Sequence, residues 1–211
     1  MTILDYNLAD TELLTPDDSA GRFRLWVPQE PCVVIGNGSK SELELNAQEI
    51  DANKIPVYKR RTGGCAVVLS PEMWCLSCAL YGRKQIQSKD YFVLFNKAVC
   101  DAFARAGVPE LAHRGISDIA LGEKKIAGTA LYRNRDMVFY HAVLNIAGDI
   151  DLISRYLLQP PREPDYRAGR SHREFVTSLA EAGFKPSREK FEGEFAVEFV
   201  RILELLTVVY C

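Results

Sequence analysis

The sequence predicts an α+β (mixed α/β) fold, a central mixed β-sheet flanked by helices, and three observations carry that prediction. Short runs of β-branched and aromatic residues, broken by glycine and polar turns, fill residues 22–81 and 118–146. Two longer stretches, Tyr91 to Ala106 and Lys190 to Val208, place apolar residues at helical spacing. No internal repeat or low-complexity tract interrupts the mixture. A chain of 211 residues is long enough for one well-filled core, so residues 1–211 are expected to form a single domain.

The first twenty residues are polar and irregular, ending in Pro16-Asp17-Asp18-Ser19-Ala20-Gly21, and predict a loosely ordered start. Strands are expected at Arg22 to Val27 and Cys32 to Gly36. Asn46 with Glu49 three residues on makes a capping-box pattern, which opens a helix from Ala47 to Asn53. Strands follow at Pro56 to Arg60, Ala66 to Leu69 and Met73 to Tyr81, with Gly63 and Gly64 between the first two. The apolar series Tyr91, Phe92, Leu94, Phe95, Ala98, Val99, Ala102 and Phe103 predicts a helix, stopped by Gly107. Asp118 to Leu121, Lys125 to Tyr132 and Met137 to Ile146 read as strands, the last two a hairpin across the basic turn Arg133 to Asp136. Asp151 to Leu157 reads as a short helix, and the prolines of Gln159 to Pro164 impose an extended connection. Ser171 with Glu174 opens another helix, expected to end near Gly183, before the final amphipathic helix Lys190 to Val208.

Hydrophobic residues make up 47% of the chain and charged residues 26%, as in an ordinary globular protein. No segment approaches the roughly 18 apolar residues a membrane helix needs, and the start lacks the basic and apolar stretches of a secretory signal. A cytoplasmic location and no membrane partner are the expectations. Six cysteines, Cys32, Cys65, Cys75, Cys78, Cys100 and Cys211, are scattered as suits a reducing compartment. Cys75-Leu76-Ser77-Cys78 lacks a second pair at metal-site spacing, and its apolar neighbours read as a buried strand. The net charge of −2 gives no sign of a nucleic-acid partner.

Two segments carry chemistry. In Lys59-Arg60-Arg61-Thr62-Gly63-Gly64-Cys65 the glycines let backbone approach a ligand, and three cations beside them favour a phosphate or carboxylate. Standing alone, such a stretch reads more simply as a tight turn with solvated charges. In the second segment Lys125 opens an apolar strand among small residues, where a lysine projects over a bound substrate or is merely exposed.

Together, and in this order, the segments resemble the lipoate-protein ligase A family of the biotin/lipoate ligase superfamily. Lys59-Arg60-Arg61-Thr62-Gly63-Gly64-Cys65-Ala66-Val67 is similar to that family's Arg-Arg-x-Ser-Gly-Gly-Gly-Ala-Val loop. Ser117-Asp118 with Lys125-Ile126-Ala127-Gly128-Thr129-Ala130 resembles its Asn-Asp and Lys-x-Ser-Gly-x-Ala motif. Val34-Ile35-Gly36 with Glu44 and Asn46, and Tyr140-His141-Ala142-Val143-Leu144, are similar to its upstream and downstream stretches, so the resemblance covers about residues 32–179. In place of the family's His-Asp after the loop stand Leu69 and Ser70.

The resemblance implies a biotin/lipoate ligase-like, class II synthetase-like catalytic domain in a short form without the accessory carboxy-terminal domain. It implies two steps: a lipoyl or octanoyl carboxylate attacks ATP to give the acyl-AMP, and a lysine of an acceptor lipoyl domain then takes the acyl group. ATP, Mg2+ and lipoic acid are the implied small molecules, with a separate accessory protein as a further partner. By the same resemblance Lys125 is the catalytic cation. Arg60 faces the carboxylate or phosphate, and Gly63, Gly64, Cys65, Ala66, Val67 and Val68 line the acyl-adenylate. Asp118 holds Mg2+ or the adenylate, and Gly128, Thr129, Ala130 and His141 complete the substrate-binding set.

Three other readings stand beside it. One is octanoyl or lipoyl transfer through a Cys65 thioester, with the thiol activated by Arg60 and Arg61. Biotin ligation, whose glycine loop usually reads Gly-Arg-Gly-Arg, ranks third, and a different class altogether is a non-catalytic module that binds lipoyl groups or a partner. His113 and His172 read as surface or capping residues, and Arg162, Arg167, Arg170 and Arg173 as a solvated face or a docking surface for an acidic lipoyl domain or the ATP phosphates.

Overall fold

A computed structural model describes residues 1–82 and 86–208 of the chain; Cys211 lies outside the described residues. The fold is α+β, and its strands form two sheets. The larger runs β2 (Gly21–Trp26), β6 (Met73–Tyr81), β10 (Met137–Asn145), β9 (Lys124–Arg133), β8 (Asp118–Leu121) and β7 (Leu111–Arg114), every neighbouring pair antiparallel. The smaller is the mixed one: β1 (Ile3–Asp5), β4 (Val57–Lys59) and β3 (Cys32–Ile35) are parallel, and β5 (Val67–Leu69) pairs antiparallel with β3.

Strand β6 explains the apolar run around Cys75. All nine of its residues are buried, because the strand is central and covered on both faces. Its even-numbered side chains Leu76, Cys78 and Leu80 join Val138, Tyr140, Ala142 and Leu144 of β10 beneath two long helices, α3 (Ser88–Arg105) and α6 (Arg188–Val208). Phe95, Val99 and Phe103 of α3 and Phe191, Phe195 and Phe199 of α6 fill that interface, with Phe103 and Phe191 ring centroids 4.2 Å apart. The opposite side of β6 presents Cys75, so Cys75 and Cys78 belong to different clusters, as packing residues would. Gly107, at φ +96, closes α3 as expected.

Short helices α1 (Ser41–Glu44) and α2 (Ala47–Ala52) follow β3, and α4 (Ile150–Tyr156) packs beside them through the Leu45–Leu157 bridge. The Asn46 side chain accepts the Glu49 N–H at 3.5 Å, the expected start of α2. Among the described residues no helix is long and apolar enough to cross a membrane.

Two expectations need correcting. The start is held down: β1 pairs with β4, Leu13 is buried, and Asp10 is fully buried with its carboxylate accepting hydrogen bonds from Tyr6 and Ser77. A three-residue strand and a buried acid leave no periodic signal, so the segment reads as polar coil. The helix opened by Ser171 is only α5 (His172–Phe175), with its capping box in place. Instead of continuing to Gly183, the chain turns extended at Val176, where Thr177 N–H bonds Lys125 O and Leu179 N–H bonds Asn145 O. Ties to both β9 and β10 outweigh one more helical turn in a β-branched pair. Strand β7 and helix α1 were not foreseen.

Candidate active site

Between the two sheets lies a cavity of about 1030 Å³, lined by the glycine loop on one side and by β9 and β10 on the other. The loop is built around a backbone crossing. A Cβ on Gly36 would lie 2.0 Å from the Gly64 carbonyl oxygen, so only glycine lets the turn after β3 pass under the loop. Gly64 itself sits at φ +89, a left-handed conformation that favours glycine. Buried Glu44 pins the far side, accepting the Ala66 N–H at 2.6 Å and the Ser39 hydroxyl at 3.1 Å.

Arg60 is also part of this scaffold. Its guanidinium is buried and donates to Thr62 Oγ1 (2.8 Å), Val34 O (3.0 Å), Gly63 O (2.8 Å) and Cys65 O (2.9 Å). That corrects the expectation that it faces a carboxylate or phosphate: the fork lines the cavity but is turned onto the backbone carbonyls of Val34, Gly63 and Cys65. Burial lowers its pKa to about 10, which leaves it a cation at neutral pH. Thr62 Oγ1 lies 2.8 Å from His141 Nε2, joining the loop to β10. Burial, with Arg60 nearby, lowers the His141 pKa to about 3, so the ring is neutral and shares one hydrogen with the Thr62 hydroxyl, its direction set by the tautomer.

Lys125 enters from the opposite wall. The pairing of β8 with β9 shifts between Ile119 and Ala120, so that Ala120 faces Lys125 while Ile119 faces Ala127, and Ile126 is the extra residue. Ile126 and Ala127 are consequently both in the helix-side core. Lys125 and Gly128, three residues apart, lie on the cavity side together: a Cβ on Gly128 would stand 3.1 Å from Lys125 Nζ. The lysine lies across the bare glycine, and its ammonium is 2.7 Å from Asp118 Oδ1. Asp118 Oδ2 accepts the Tyr166 hydroxyl at 2.9 Å. Both oxygens of the expected metal ligand thus have protein partners, and among the described residues no three His, Cys, Asp or Glu side chains gather as a metal site. This donor set does not fit a protein-held Mg2+.

The remaining expected residues are mostly present at the cavity. Gly63, Cys65, Ala66, Val67, Val68, Thr129 and Ala130 line it, and Trp26, Leu69, Cys75 and Val143 extend its apolar arm. Thr129 also donates to Ser117 O at 2.6 Å, which fixes the turn before Asp118. Burial pushes the Cys65 thiol up, with Glu44 adding to the rise, which counts against the alternative of a thiol activated by its arginine neighbours. His113 bonds Ile116 O, and burial with Arg167 and Lys125 nearby lowers the His172 pKa to about 4.

The arginine cluster divides. Arg167 is buried, bonded to Arg170 O and Gln159 Oε1, so it braces the segment and is not a docking face. Arg170 donates to Tyr166 O and Arg167 O, and Arg173 pairs with Asp151. Arg162 is exposed on the cavity rim. Sequence reasoning missed Tyr166 and the Tyr6–Asp10–Ser77 group, which no motif marks; Glu44 was visible only through the Glu-x-Asn match.

This two-sheet fold is that of lipoate-protein ligase catalytic domains. A bipartite lipoate protein ligase from Thermoplasma acidophilum superposes with a TM-score of 0.76 at 21% identity, over 96% of this chain and 82% of that one. Lipoate-protein ligase A bound with ATP superposes with a TM-score of 0.73 at 22% identity, over 89% and 74%. The chain belongs to the lipoyl protein ligase A/B catalytic domain family, whose model matches residues 5–200. Lipoate–protein ligase 1 of Staphylococcus aureus is 27% identical over 158 residues, 74% of this chain and 47% of that protein. The octanoyltransferase LipM of Oceanobacillus iheyensis is 24% identical over 203 residues, 87% of this chain and 73% of that protein. The chain spans about half or less of the length of curated ligases that it matches.

Proposed function

We propose that this chain is a lipoate-protein ligase that activates a lipoyl or octanoyl carboxylate with ATP and passes the acyl group to a lysine of an acceptor lipoyl domain. The observation that carries the reading is the Lys125 ammonium, held at 2.7 Å by Asp118 on the cavity wall opposite the glycine loop. A carboxylate oxygen attacks the α-phosphorus of ATP, the bond to the β-phosphate breaks, and pyrophosphate leaves. Lys125 stabilises the negative charge gathering on the carboxyl and α-phosphate oxygens. The acceptor amine then attacks the acyl carbonyl, AMP leaves with the bonding pair, and the amine's proton passes to solvent. Arg60 keeps the loop in shape for this chemistry, Asp118 orients Lys125, and the apolar arm along Val67 takes the acyl tail. Mg2+ would come with the ATP phosphates, which supply most of its ligands in such sites.

A second reading, transfer from a carrier through a Cys65 thioester, has the likeness to an octanoyltransferase in its favour. Against it stands the raised Cys65 thiol. The intact mass of a lipoyl domain incubated with the chain, lipoate or octanoate, Mg2+ and ATP tests the proposal. Acylation that requires ATP and survives Cys65→Ser supports it. Acylation from an acyl carrier without ATP, lost in Cys65→Ser, favours the second reading. Failure of both leaves a binding module.

A further inference from the structure

We propose that Tyr166 is a positioning residue that acts on Lys125 through Asp118. The inference rests on the role given to Lys125 above. Asp118 is 6% exposed and has two partners, one for each oxygen: Lys125 Nζ at 2.7 Å and the Tyr166 hydroxyl at 2.9 Å. A carboxylate with one oxygen fixed by a neutral donor can turn its other oxygen in only one direction. The phenol therefore determines where Asp118 points, and Asp118 determines where Lys125 rests.

The surroundings of Tyr166 fit a residue whose position matters. It lies in the single turn Asp165–Arg167, reached across the extended proline segment that crosses the mouth of the cavity. Its ring is wedged between Phe175, centroids 5.0 Å apart, and the Arg114 guanidinium, 5.2 Å above it. Gly115, at φ +58, allows the approach, since a Cβ there would lie 3.3 Å from Pro164 and 3.6 Å from the Tyr166 ring. Below the turn, buried Arg167 holds Arg170 O and Gln159, and Arg170 holds Tyr166 O at 2.6 Å. The segment carrying Tyr166 is thus braced from below and clamped from above, with one hydroxyl delivered to the aspartate. A tyrosine needed only to fill this space would serve equally well as phenylalanine.

Tyr166→Phe tests that distinction, since it keeps the ring contacts and removes the hydroxyl. Pyrophosphate release from ATP and lipoate should fall roughly tenfold in kcat, the effect of losing a hydrogen bond to a charged group, with KM for ATP within about twofold. In an Asp118→Asn background the same change should have little further effect, because the two residues act through one contact. A multiplicative loss in the double variant, or unchanged kcat in a folded Tyr166→Phe, overturns the proposal. A readout independent of catalysis separates this from failure of the ligase reading. Acetylation of Lys125 by dilute acetic anhydride, followed by peptide mass spectrometry against the other lysines, should quicken several-fold in Tyr166→Phe as the aspartate loosens. Equal labelling in the two proteins refutes the positioning role whatever the reaction proves to be.

Discussion

Gly128→Ala isolates Lys125 placement from fold stability. The added methyl would stand 3.1 Å from Lys125 Nζ and 3.2 Å from Cε, closer than ordinary packing, with no backbone group in the way. Gly128 needs no left-handed conformation, so alanine fits the strand and should raise stability by about 0.4–1 kcal/mol through the unfolded chain. The flexible lysine yields instead, and its ammonium moves by a few tenths of an ångström or more away from Asp118, now 2.7 Å distant. Disrupting a hydrogen bond between charged groups costs about 1.5–3 kcal/mol, which in the transition state is roughly a 10–100-fold loss of kcat. Pyrophosphate release and a urea midpoint on one preparation measure both sides. A stable Gly128→Ala protein with unchanged kcat would falsify the placement argued for Lys125.

Other expectations follow from the same geometry. Gly36→Ala puts a Cβ 2.0 Å from a backbone oxygen, and the urea midpoint should drop by the equivalent of about 3 kcal/mol or the protein should fail to fold. Thr62→Val leaves Arg60 Nε and His141 Nε2 without their shared partner, so a loss of about 1–3 kcal/mol is expected by the same measurement. His141, with its pKa near 3 against about 6.5 unfolded, is protonated more readily in the unfolded chain. Stability present above pH 6.5 should therefore fall as pH drops toward 3, by about 2 kcal/mol between pH 7 and 5, with His172 adding to the loss down to its value of about 4. Urea midpoints at the two pH values, whose gap should narrow by the equivalent of about 2 kcal/mol in His141→Asn while the His172 part remains, check this. Arg167→Glu should abolish folding because the guanidinium is buried, whereas Arg162→Glu, on the rim, should leave the circular dichroism spectrum and melting temperature unchanged.

The parts of this fold legible in the sequence are those with long periodic signals. Helix α3 falls where Tyr91, Phe95, Ala98, Val99, Ala102 and Phe103 recur, and β6 where an unbroken apolar run demands burial on both faces. The glycine loop and Lys125 were legible as a pair only through the family resemblance, since each alone reads more simply as a tight turn or an exposed lysine. What escaped was fixed by distant partners. Nothing around Tyr6 and Asp10 announces that Ser77, far along the chain, completes their hydrogen bonds. The single-residue slip at Ile126 that puts Lys125 over Gly128 is a property of strand pairing and has no composition. The inward turn of Arg60 depends on carbonyls from Val34 to Cys65 that a motif does not list. The short α5 shows a local rule overruled, since its capping box formed but the sheet drew the following residues away.

The central claim is that Lys125, facing the glycine loop, activates an acyl carboxylate at the expense of ATP. Pyrophosphate release by the purified chain with ATP, Mg2+ and lipoate, in the absence of any acceptor, measures that step alone. The account predicts a burst close to one equivalent of enzyme that is lost in Lys125→Met and kept in Cys65→Ser. Release that persists in Lys125→Met, or disappears in Cys65→Ser, contradicts it.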